Sequence, residues 1–314
     1  MYYPFTLEQL ANPVALLLRS KRQNPPNDVE LIRLTSLNAG KGIDLPKNSS
    51  KLLAFFTVFT ILSAFALAVS LSGCNKSKSG SKKQAMFDLS HREIFSPDLT
   101  SEMGLSSFKK DLTGSGYTIK ANEKPIAAKI LRDSDLLILA GPMTEFTVEE
   151  IEVITDFVKN GGNLLVFIHI SQPVFALSEQ FDIQPSLATI CDTADPVQNS
   201  PQDFYITTFA DHPLGIGIDK LAVFRTWGLR IREGGSANIV AKTSDKAWAD
   251  LNQDLVLNEG EPQEAYGIIA ISRFGDGRAV ICADDAILIN KFIKTGNNQQ
   301  FGKNIISWFE NKMT

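Results

Sequence analysis

Two runs of apolar residues, joined by a segment with helical spacing, dominate the pattern of hydrophobic and polar positions in this chain. The first run is residues 136–140, and the second is residues 163–170. Continuous apolar runs of this length predict strands that are covered on both faces. Strand, helix and strand with short turns then predict a parallel βαβ unit, which is right-handed by the usual rule.

The segment between the two runs has clear signals for the start and the end of a helix. Thr147 and Glu150 have the spacing of a capping box, in which each side chain accepts from the other residue's backbone N–H. Phe146 and Ile151 flank them at the positions of a hydrophobic staple. Residues 160–162, Asn-Gly-Gly, predict the end of the helix, where a left-handed backbone is needed.

The same alternation extends on both sides of this unit. Further segments predict two strands (86–89, 117–119), two helices (99–113, 173–181), a turn region (181–186), a hairpin (266–273 with 278–283) and a closing helix (300–312). This order predicts an α/β fold with a doubly wound, mostly parallel sheet, as in flavodoxin. We expect the sheet to carry a β-rich insertion and a C-terminal hairpin plus helix.

The N-terminal part of the chain carries a signal for membrane attachment. Residues 52–71 contain no charged residue, and about 20 apolar residues suffice to span a bilayer. The run ends in Leu71-Ser72-Gly73-Cys74, which resembles the lipobox of bacterial lipoprotein signal peptides, so we expect the thiol of Cys74 to take a lipid. The alternative is an uncleaved signal anchor in which Cys74 is incidental.

These signals divide the chain into four predicted parts. We expect an N-terminal extension (1–50), a signal peptide or membrane anchor (51–73), a tether rich in Lys, Ser and Gly (74–84) and an α/β domain (85–314). For residues 1–50, a start codon assigned too far upstream is the alternative to a real cytoplasmic arm. Both interpretations of the apolar run place the domain on the extracytoplasmic side of a membrane in a bacterial cell envelope.

Charge is distributed unevenly along the chain. Residues 1–83 hold eleven of the 31 Lys and Arg and four of the 35 Asp and Glu, which leaves 20 basic and 31 acidic residues in 84–314. An acidic domain with no basic cluster argues against nucleic-acid binding. The charge identifies no partner, and it is the predicted lipid on Cys74 that makes the membrane one.

Several segments resemble class I glutamine amidotransferase-like domains that have lost their nucleophile. They are residues 87–91, 95–97, 135–142, 146–151 and 161–165, with a looser likeness in 284–285, 290, 304 and 308. Such domains occur in uncharacterised bacterial proteins, in auxiliary components of gliding-type ABC transporters and at the N-terminus of an intraflagellar transport subunit. The resemblance implies a fold more than an activity.

The candidate ligand-binding residues follow the predicted strands at their carboxyl ends, where open α/β sheets bind ligands. They are Asp88, Ser90, His91, His169, Asp284 and Asp285. The alternative is a structural role: each histidine side chain would form a hydrogen bond to a loop, and Asp285 would cap the segment 286–292. His212 precedes a proline and is expected in a loop.

Catalytic chemistry has little support in the sequence. The bend at residues 167–172, where an active amidotransferase holds its Cys, contains Ser171 but no Cys and no Gly-x-Ser-x-Gly elbow. No zinc-type spacing is present, and we expect no metal and no cofactor. Cys191 and Cys282 are permitted a disulfide in this setting, although the apolar surroundings of Cys282 favour a buried thiol.

We therefore expect a membrane-anchored lipoprotein whose non-catalytic domain binds a ligand or a partner protein. The resemblance suggests a role beside an ABC transporter or another envelope assembly. The alternative is an envelope hydrolase that uses His91, His169 or Asp284.

Overall fold

The computed structural model of this chain describes residues 83–168 and 172–310. Its strands are β1 (Lys83–Asp88), β2 (Tyr117–Asn122), β3 (Leu136–Ala140), β4 (Asn163–Phe167), β5 (Ile183–Cys191), β6 (Pro196–Val197), β7 (Ser200–Ile206), β8 (Thr208–Phe209), β9 (Leu221–Phe224), β10 (Trp227–Ile231), β11 (Asn238–Lys242), β12 (Trp248–Asp250), β13 (Gly267–Phe274) and β14 (Gly277–Cys282). Its helices are α1 (Ser106–Gly114), α2 (Ala128–Leu131), α3 (Val148–Lys159), α4 (Phe175–Glu179) and α5 (Asn298–Phe309), with a 3-10 turn at Pro213–Gly215.

Eleven of the strands form one mixed sheet. Its main path is β12-β5-β10-β13-β14-β4-β3-β1-β2, with β11 paired to β13 and β8 paired to β11. Strands β2, β1, β3, β4 and β14 run parallel to one another. The other pairings are antiparallel, and β6, β7 and β9 form a separate antiparallel sheet.

The predicted α/β fold, a doubly wound and mostly parallel sheet of flavodoxin or amidotransferase-like type, is wrong. Six strands of the large sheet (β5, β8, β10, β11, β12 and β13) make only antiparallel pairs. The reason is the connections: between residues 183 and 274 the chain lacks the long helical crossovers that parallel neighbours require. The molecule is β-rich, and its parallel part is confined to one side of the sheet.

The central βαβ unit itself is confirmed. Strand β3 is buried along its whole length, as a strand covered on both faces must be. The Glu150 N–H donates to Thr147 Oγ1 at 3.2 Å, and the Thr147 N–H donates to Glu150 Oε2 at 3.0 Å, which is the predicted capping box. The predicted C-terminal hairpin is also present, as β13 and β14.

The first predicted helix, residues 99–113, begins seven residues later than its apolar spacing indicated. The side chain of Asn290 explains the difference, because its Nδ2 donates to the backbone oxygens of Leu99 at 3.2 Å and Ser101 at 2.7 Å. Its Oδ1 accepts from the N–H of Ser107 at 2.9 Å, in the first turn of α1. A distant asparagine thus holds residues 99–105 as a loop and begins the helix after it.

One apolar core runs through the described residues. Its largest fully buried side chains include Phe87 from β1, Phe108 from α1, Phe167 from β4, and Phe301 and Trp308 from α5. Burying such aromatic groups supplies much of the favourable free energy of folding. The core therefore joins the parallel strands to the helix at the end of the described chain.

Some predictions fall on residues that the structure does not describe. They concern the N-terminal extension, the apolar run, the tether through residue 82, the lipidation of Cys74, and the roles of His169 and Ser171. Among residues 83–168 and 172–310, no helix combines the length and the apolar character needed to cross a bilayer.

Candidate functional site

The site begins at the carboxyl ends of the parallel strands β1 and β2. Asp88 ends β1 and pairs in register with Asn122, which ends β2. Because parallel strands end at the same edge of a sheet, the two polar side chains meet there, and Asn122 Nδ2 donates to Asp88 Oδ1 at 2.9 Å. Ser90 Oγ donates to the same oxygen at 2.8 Å. The carboxylate of Asp88 is thereby fixed inside the protein.

His91 lies between two carboxylates. Its Nδ1 is 2.6 Å from Asp88 Oδ2, and its Nε2 is 3.4 Å from Glu150 Oε2. The ring stacks on Phe146, with centroids 3.9 Å apart and an angle of 27° between the planes. His91 is only 5% exposed. Both ring nitrogens therefore face carboxylates of the protein.

Glu150 reaches this cluster from the first turn of α3. Its Oε2 belongs to the capping box and faces His91, while its Oε1 accepts from the N–H of Ile126 at 2.9 Å. The Glu150 side chain thus accepts a hydrogen bond at the start of α3 and another from a neighbouring loop, and it also faces the imidazole of His91. This is the arrangement expected of a buried polar network that holds segments of the chain in place.

The charges in the cluster favour an imidazolium between two carboxylates. Burial alone would lower the pKa of His91, but the hydrogen bond and charge of Asp88 and the charge of Glu150 outweigh it and raise that pKa. Burial opposes ionisation of Asp88 and Glu150 as well. Hydrogen bonds from His91 and its neighbours at Asp88, and from the backbone of Thr147 and Ile126 at Glu150, lower the pKa of each acid.

Glu93 behaves in the opposite way. Burial, together with the hydrogen bond and negative charge of Asp88, raises the pKa of Glu93 to about 9. Its Oε2 accepts from the N–H of His91 at 3.0 Å, and within residues 83–168 and 172–310 no donor hydrogen-bonds to its buried Oε1. Glu93 is therefore protonated at neutral pH, and a neutral carboxyl group is less costly to bury than a charged one.

The cluster also has the spacing of a metal site. Asp88, His91 and Glu93 each offer a ligand atom, and these atoms lie within 4.8 Å of one another. Ligands of one ion rarely approach as closely as the 2.6 Å that separates His91 from Asp88, which is a charge-assisted hydrogen bond. Protons, rather than a metal, explain the geometry as it stands.

Asp284 and Asp285 lie beyond β14, at the same edge of the sheet. Asp284 is buried and accepts from the N–H groups of Phe224 and Ala286, both at 2.6 Å. Burial and the charge of Asp285 raise the pKa of Asp284, against the lowering effect of those hydrogen bonds. Asp284 therefore fixes the turn that follows the strand.

Asp285 lies beside Gly141, which follows β3 with a φ of +70°. A Cβ atom at Gly141 would be 3.3 Å from Asp285 Oδ2 and 3.4 Å from the ring of Phe95. The glycine thus gives space to both neighbours. Of the six predicted site residues, the structure brings Asp88, Ser90 and His91 together, places Asp284 and Asp285 elsewhere along the edge, and does not describe His169.

The remaining His and Cys residues have structural surroundings. His212 is a loop residue, as predicted: its Nδ1 accepts from the N–H of Leu214 at 3.2 Å, and burial lowers its pKa. Cys191 and Cys282 are free and buried, so the two do not form a disulfide. Burial raises the pKa of the Cys191 thiol to about 12 and that of Cys282 well above its ordinary value.

Sequence reasoning missed three members of the cluster, namely Asn122, Phe146 as a stacking partner, and Glu150. A signal existed for Asn122, because a polar residue ends a strand next to β1. The sequence pattern around Glu150 was recognised as a capping box. That motif explains the contact of Glu150 with Thr147, but not its contacts with Ile126 and His91.

Comparison with known proteins supports part of the predicted resemblance. Residues 84–172 match the family model of the IFT52 GIFT domain, which is less than half of the chain. This confirms the likeness to an intraflagellar transport subunit over β1 to β4. No curated protein sequence matches this chain.

Among solved structures, the mmIFT52 N-terminal domain is similar, with a TM-score of 0.60 and 17% identity over 73% of this chain and 97% of that chain. A ThuA-like protein from Bacteroides uniformis ATCC 8492 has a TM-score of 0.48 and 13% identity over 77% of this chain and 96% of that chain. At such identity the first likeness shows the fold alone. This chain thus shares the fold of the IFT52 N-terminal domain, and its first four strands carry the sequence pattern of the GIFT family.

Proposed function

We propose that this chain is a non-catalytic binding protein whose domain recognises a partner protein at the N-terminal half of α3. The observation that carries the proposal is the engagement of both nitrogens of His91 within the protein. The backbone oxygen of His91 also accepts from the N–H groups of Met143 and Thr144, at 2.9 and 3.1 Å. The polar cluster therefore fixes the loop that leads into α3, rather than presenting a reactive group.

The face that this network supports is acidic and partly apolar. Met143 and Val148 are exposed, and Val148 retains 68% of its accessible surface. The exposed acids beside them are Glu145, Glu149, Glu152 and Asp156. We call these six residues the acidic face. Large apolar side chains next to charges of one sign are typical of surfaces that bind proteins.

A groove of about 510 Å³ continues this face between α3 and α4. It is lined by Val148, Ile151, Glu152, Thr155, Asp156, Ala176 and Gln180. No lining residue is basic, and two are acidic. The occupant that fits is a segment of a partner protein. Its apolar side chains would pack against Val148 and Ile151, and its Lys or Arg side chains would pair with Glu152 and Asp156.

We further propose that the partner belongs to an envelope assembly, such as one containing an ABC transporter. This depends on the predicted attachment through Cys74, which stays a prediction. The mass of the peptide that begins at Cys74, measured on protein purified from membranes, tests it: a diacylglyceryl adduct supports the attachment, and a bare thiol contradicts it.

Site-specific photocrosslinking tests the acidic face. A photoreactive phenylalanine at Val148 is expected to crosslink, in native membranes, to a segment rich in Lys or Arg and apolar residues, identified by mass spectrometry. The same group at Leu187, an exposed apolar residue of β5, is the matched control.

Reversing the charge of two acidic residues tests whether the crosslink depends on the acidic face. Glu152→Lys together with Asp156→Lys is expected to abolish the crosslink from Val148, whereas Glu102→Lys at another exposed acid leaves it unchanged. Equal crosslinking from Val148 and Leu187, or a crosslink that is insensitive to reversal of Glu152 and Asp156, contradicts the proposal.

A further inference from the structure

Strand β2 lies at one end of the large sheet, where it has a neighbouring strand on one side only. That neighbour is β1, with which β2 runs parallel along its whole length without a shift in register. The N–H of Leu89 donates to the backbone oxygen of Asn122 at 2.7 Å, so the backbone groups of Asn122 face β1. Because backbone groups alternate in direction along a strand, those of Thr118 and Lys120 face β1 as well.

The other edge of β2 is open. By the same alternation, the N–H and C=O groups of Tyr117, Ile119 and Ala121 point away from β1. Within residues 83–168 and 172–310, none of these outward groups takes part in a hydrogen bond. Unpaired N–H and C=O groups along an edge strand are the groups through which a further strand adds to a sheet.

The opposite end of the same sheet is covered by the chain itself. Strand β12 is only three residues long, and the segment 262–264 runs along its outer edge. There the N–H of Ala249 donates to the oxygen of Pro262 at 3.0 Å, and the N–H of Glu264 donates to the oxygen of Ala247 at 2.9 Å. Short edge strands and covering segments are common protections of sheet edges. In the described part of the chain, the longer edge of β2 has no such cover.

The surroundings of the open edge are positively charged, in contrast to the rest of the domain. Residues 106–131, from the start of α1 to the end of α2, contain five Lys and two acids, which leaves 15 basic and 29 acidic residues in the rest of 84–314. Lys120, in β2, and Lys124, just after it, are exposed. Among the residues that the structure describes, no carboxylate lies within 4.0 Å of either ammonium group. Charge complementarity therefore favours a negatively charged occupant.

The two faces of β2 specify the side chains of that occupant further. Thr118 and Lys120 share one face and are exposed. On the other face, Tyr117 belongs to the apolar core and Ile119 packs against it. The side chains of a strand added beside β2 alternate between the same two faces. Acidic residues beside Lys120 and apolar residues beside Ile119 therefore form the complementary pattern.

We propose that the outer edge of β2 binds an extended segment of a partner protein in which acidic residues alternate with apolar ones. The segment adds to the large sheet as a further strand. Its backbone pairs with Tyr117, Ile119 and Ala121, and its acids pair with Lys120. A second copy of this chain fits less well, because two antiparallel β2 strands bring two Lys120 side chains to the same junction, where like charges repel.

Binding of a synthetic peptide to the full chain, kept in non-ionic detergent, tests the proposal. The probe is a rhodamine-labelled peptide of about ten residues in which Glu and Val alternate, and fluorescence anisotropy measures its binding. We expect this peptide to bind. A peptide of alternating Lys and Val, and a Glu-Val peptide with methylated backbone nitrogens, are expected not to bind, because the first has the wrong charge and the second lacks N–H donors.

Two pairs of variants separate backbone pairing from charge. Ala121→Pro removes an outward N–H and no bond to β1, and proline is tolerated on edge strands; it is expected to weaken binding about tenfold or more. Ala121→Ser keeps the N–H and is expected to change the affinity by less than about twofold. Lys120→Glu is expected to weaken binding about tenfold or more, whereas Lys246→Glu, at an exposed Lys before β12, changes it by less than about twofold. Thermal unfolding verifies that the variants are folded, and Lys120→Glu leaves the backbone of β2 unchanged.

The absence of binding at about 1 mM Glu-Val peptide, or binding that neither Ala121→Pro nor Lys120→Glu weakens, overturns the proposal. Two other occupants give different results. A dimer in light scattering that Ala121→Pro abolishes assigns the edge to a second copy of the chain. Sedimentation with vesicles of phosphatidylcholine and phosphatidylserine that Lys120→Glu prevents and Ala121→Pro does not assigns the charge to lipid headgroups. Either result in place of peptide binding also overturns the proposal.

Discussion

The Nδ1 atom of His91 lies 2.6 Å from Oδ2 of Asp88, with both side chains buried. This contact joins the end of β1 to the loop before α1, and Glu150 extends it to the start of α3. A histidine in such a position acts as an internal cation. Its loss is therefore expected to affect stability before it affects any surface property.

His91→Ala is expected to lower the free energy of unfolding by about 3–5 kcal/mol, because two buried carboxylates are left without their shared cation. Urea denaturation at neutral pH measures the effect. His212→Ala serves for comparison: that residue caps a 3-10 turn and packs edge-on against Trp308, and its removal is expected to cost about 1–2 kcal/mol. If both variants lose the same free energy of unfolding, the His91 cluster contributes no more to stability than the cap at His212.

Glu93 predicts a dependence of stability on pH. Its folded-state pKa, about 9, is above its ordinary value of 4.5, so its contribution is complete below pH 4.5 and is lost as the pH rises toward 9. Glu93→Gln, which stays neutral, is expected to raise the free energy of unfolding at pH 8 by ~1–3 kcal/mol and to change it little at pH 4. Denaturation at both pH values, with the exposed Glu123→Gln as control, checks this; a gain at pH 4 equal to that at pH 8 contradicts the assignment.

Gly141→Ala is expected to destabilise the protein more than Gly217→Ala. Both glycines have positive φ, +70° and +68°, so both substitutions carry the same backbone penalty of about 1 kcal/mol. Only at position 141 does the new methyl group meet Asp285 and Phe95, whereas nothing lies within 4 Å at position 217. Thermal unfolding of the two variants isolates the contact, and identical melting temperatures would mean that Asp285 and Phe95 move aside freely.

Cys191 and Cys282 are expected to resist alkylation in the folded protein and to react fully after denaturation. Both thiols are buried, and burial keeps them protonated at neutral pH. Mass spectrometry after iodoacetamide treatment, with and without denaturant and without reductant, counts the labels. A denatured, unreduced chain that leaves these two residues unlabelled would indicate a disulfide between them.

The elements that the sequence predicted well are those whose signals are local. The capping box of Thr147 and Glu150 and the hairpin around Gly275–Gly277 depend only on neighbouring residues. Strand β5 was missed, since Pro185 and its flanking polar residues are typical of a turn. The strand forms nonetheless, because Pro185 pairs with Leu229 where the register between β5 and β10 is irregular, and there its missing N–H costs little.

The polar cluster was predictable in part for the same physical reason. Asp88, Ser90 and His91 are close in the chain, and strand ends are identifiable from sequence. The contribution of Glu150 depends on the distance between α3 and β1, which is a property of the packed fold. The direction of the strands beyond residue 183 was not predictable either, because antiparallel pairing is decided by connections that leave weak patterns.

The position of β14 has a consequence for synthesis on the ribosome. This strand, residues 277–282, lies between β4 and β13, so each of its neighbours keeps an open edge until residues 277–282 have emerged. The nascent chain must therefore carry two unfinished half-sheets with unpaired N–H and C=O groups, the state in which β-proteins associate with one another or recruit chaperones. A polypeptide that ends at residue 172 would retain the GIFT-like strands, but the edge of β4 would stay unpaired. We expect such a fragment to aggregate rather than to fold as an independent domain.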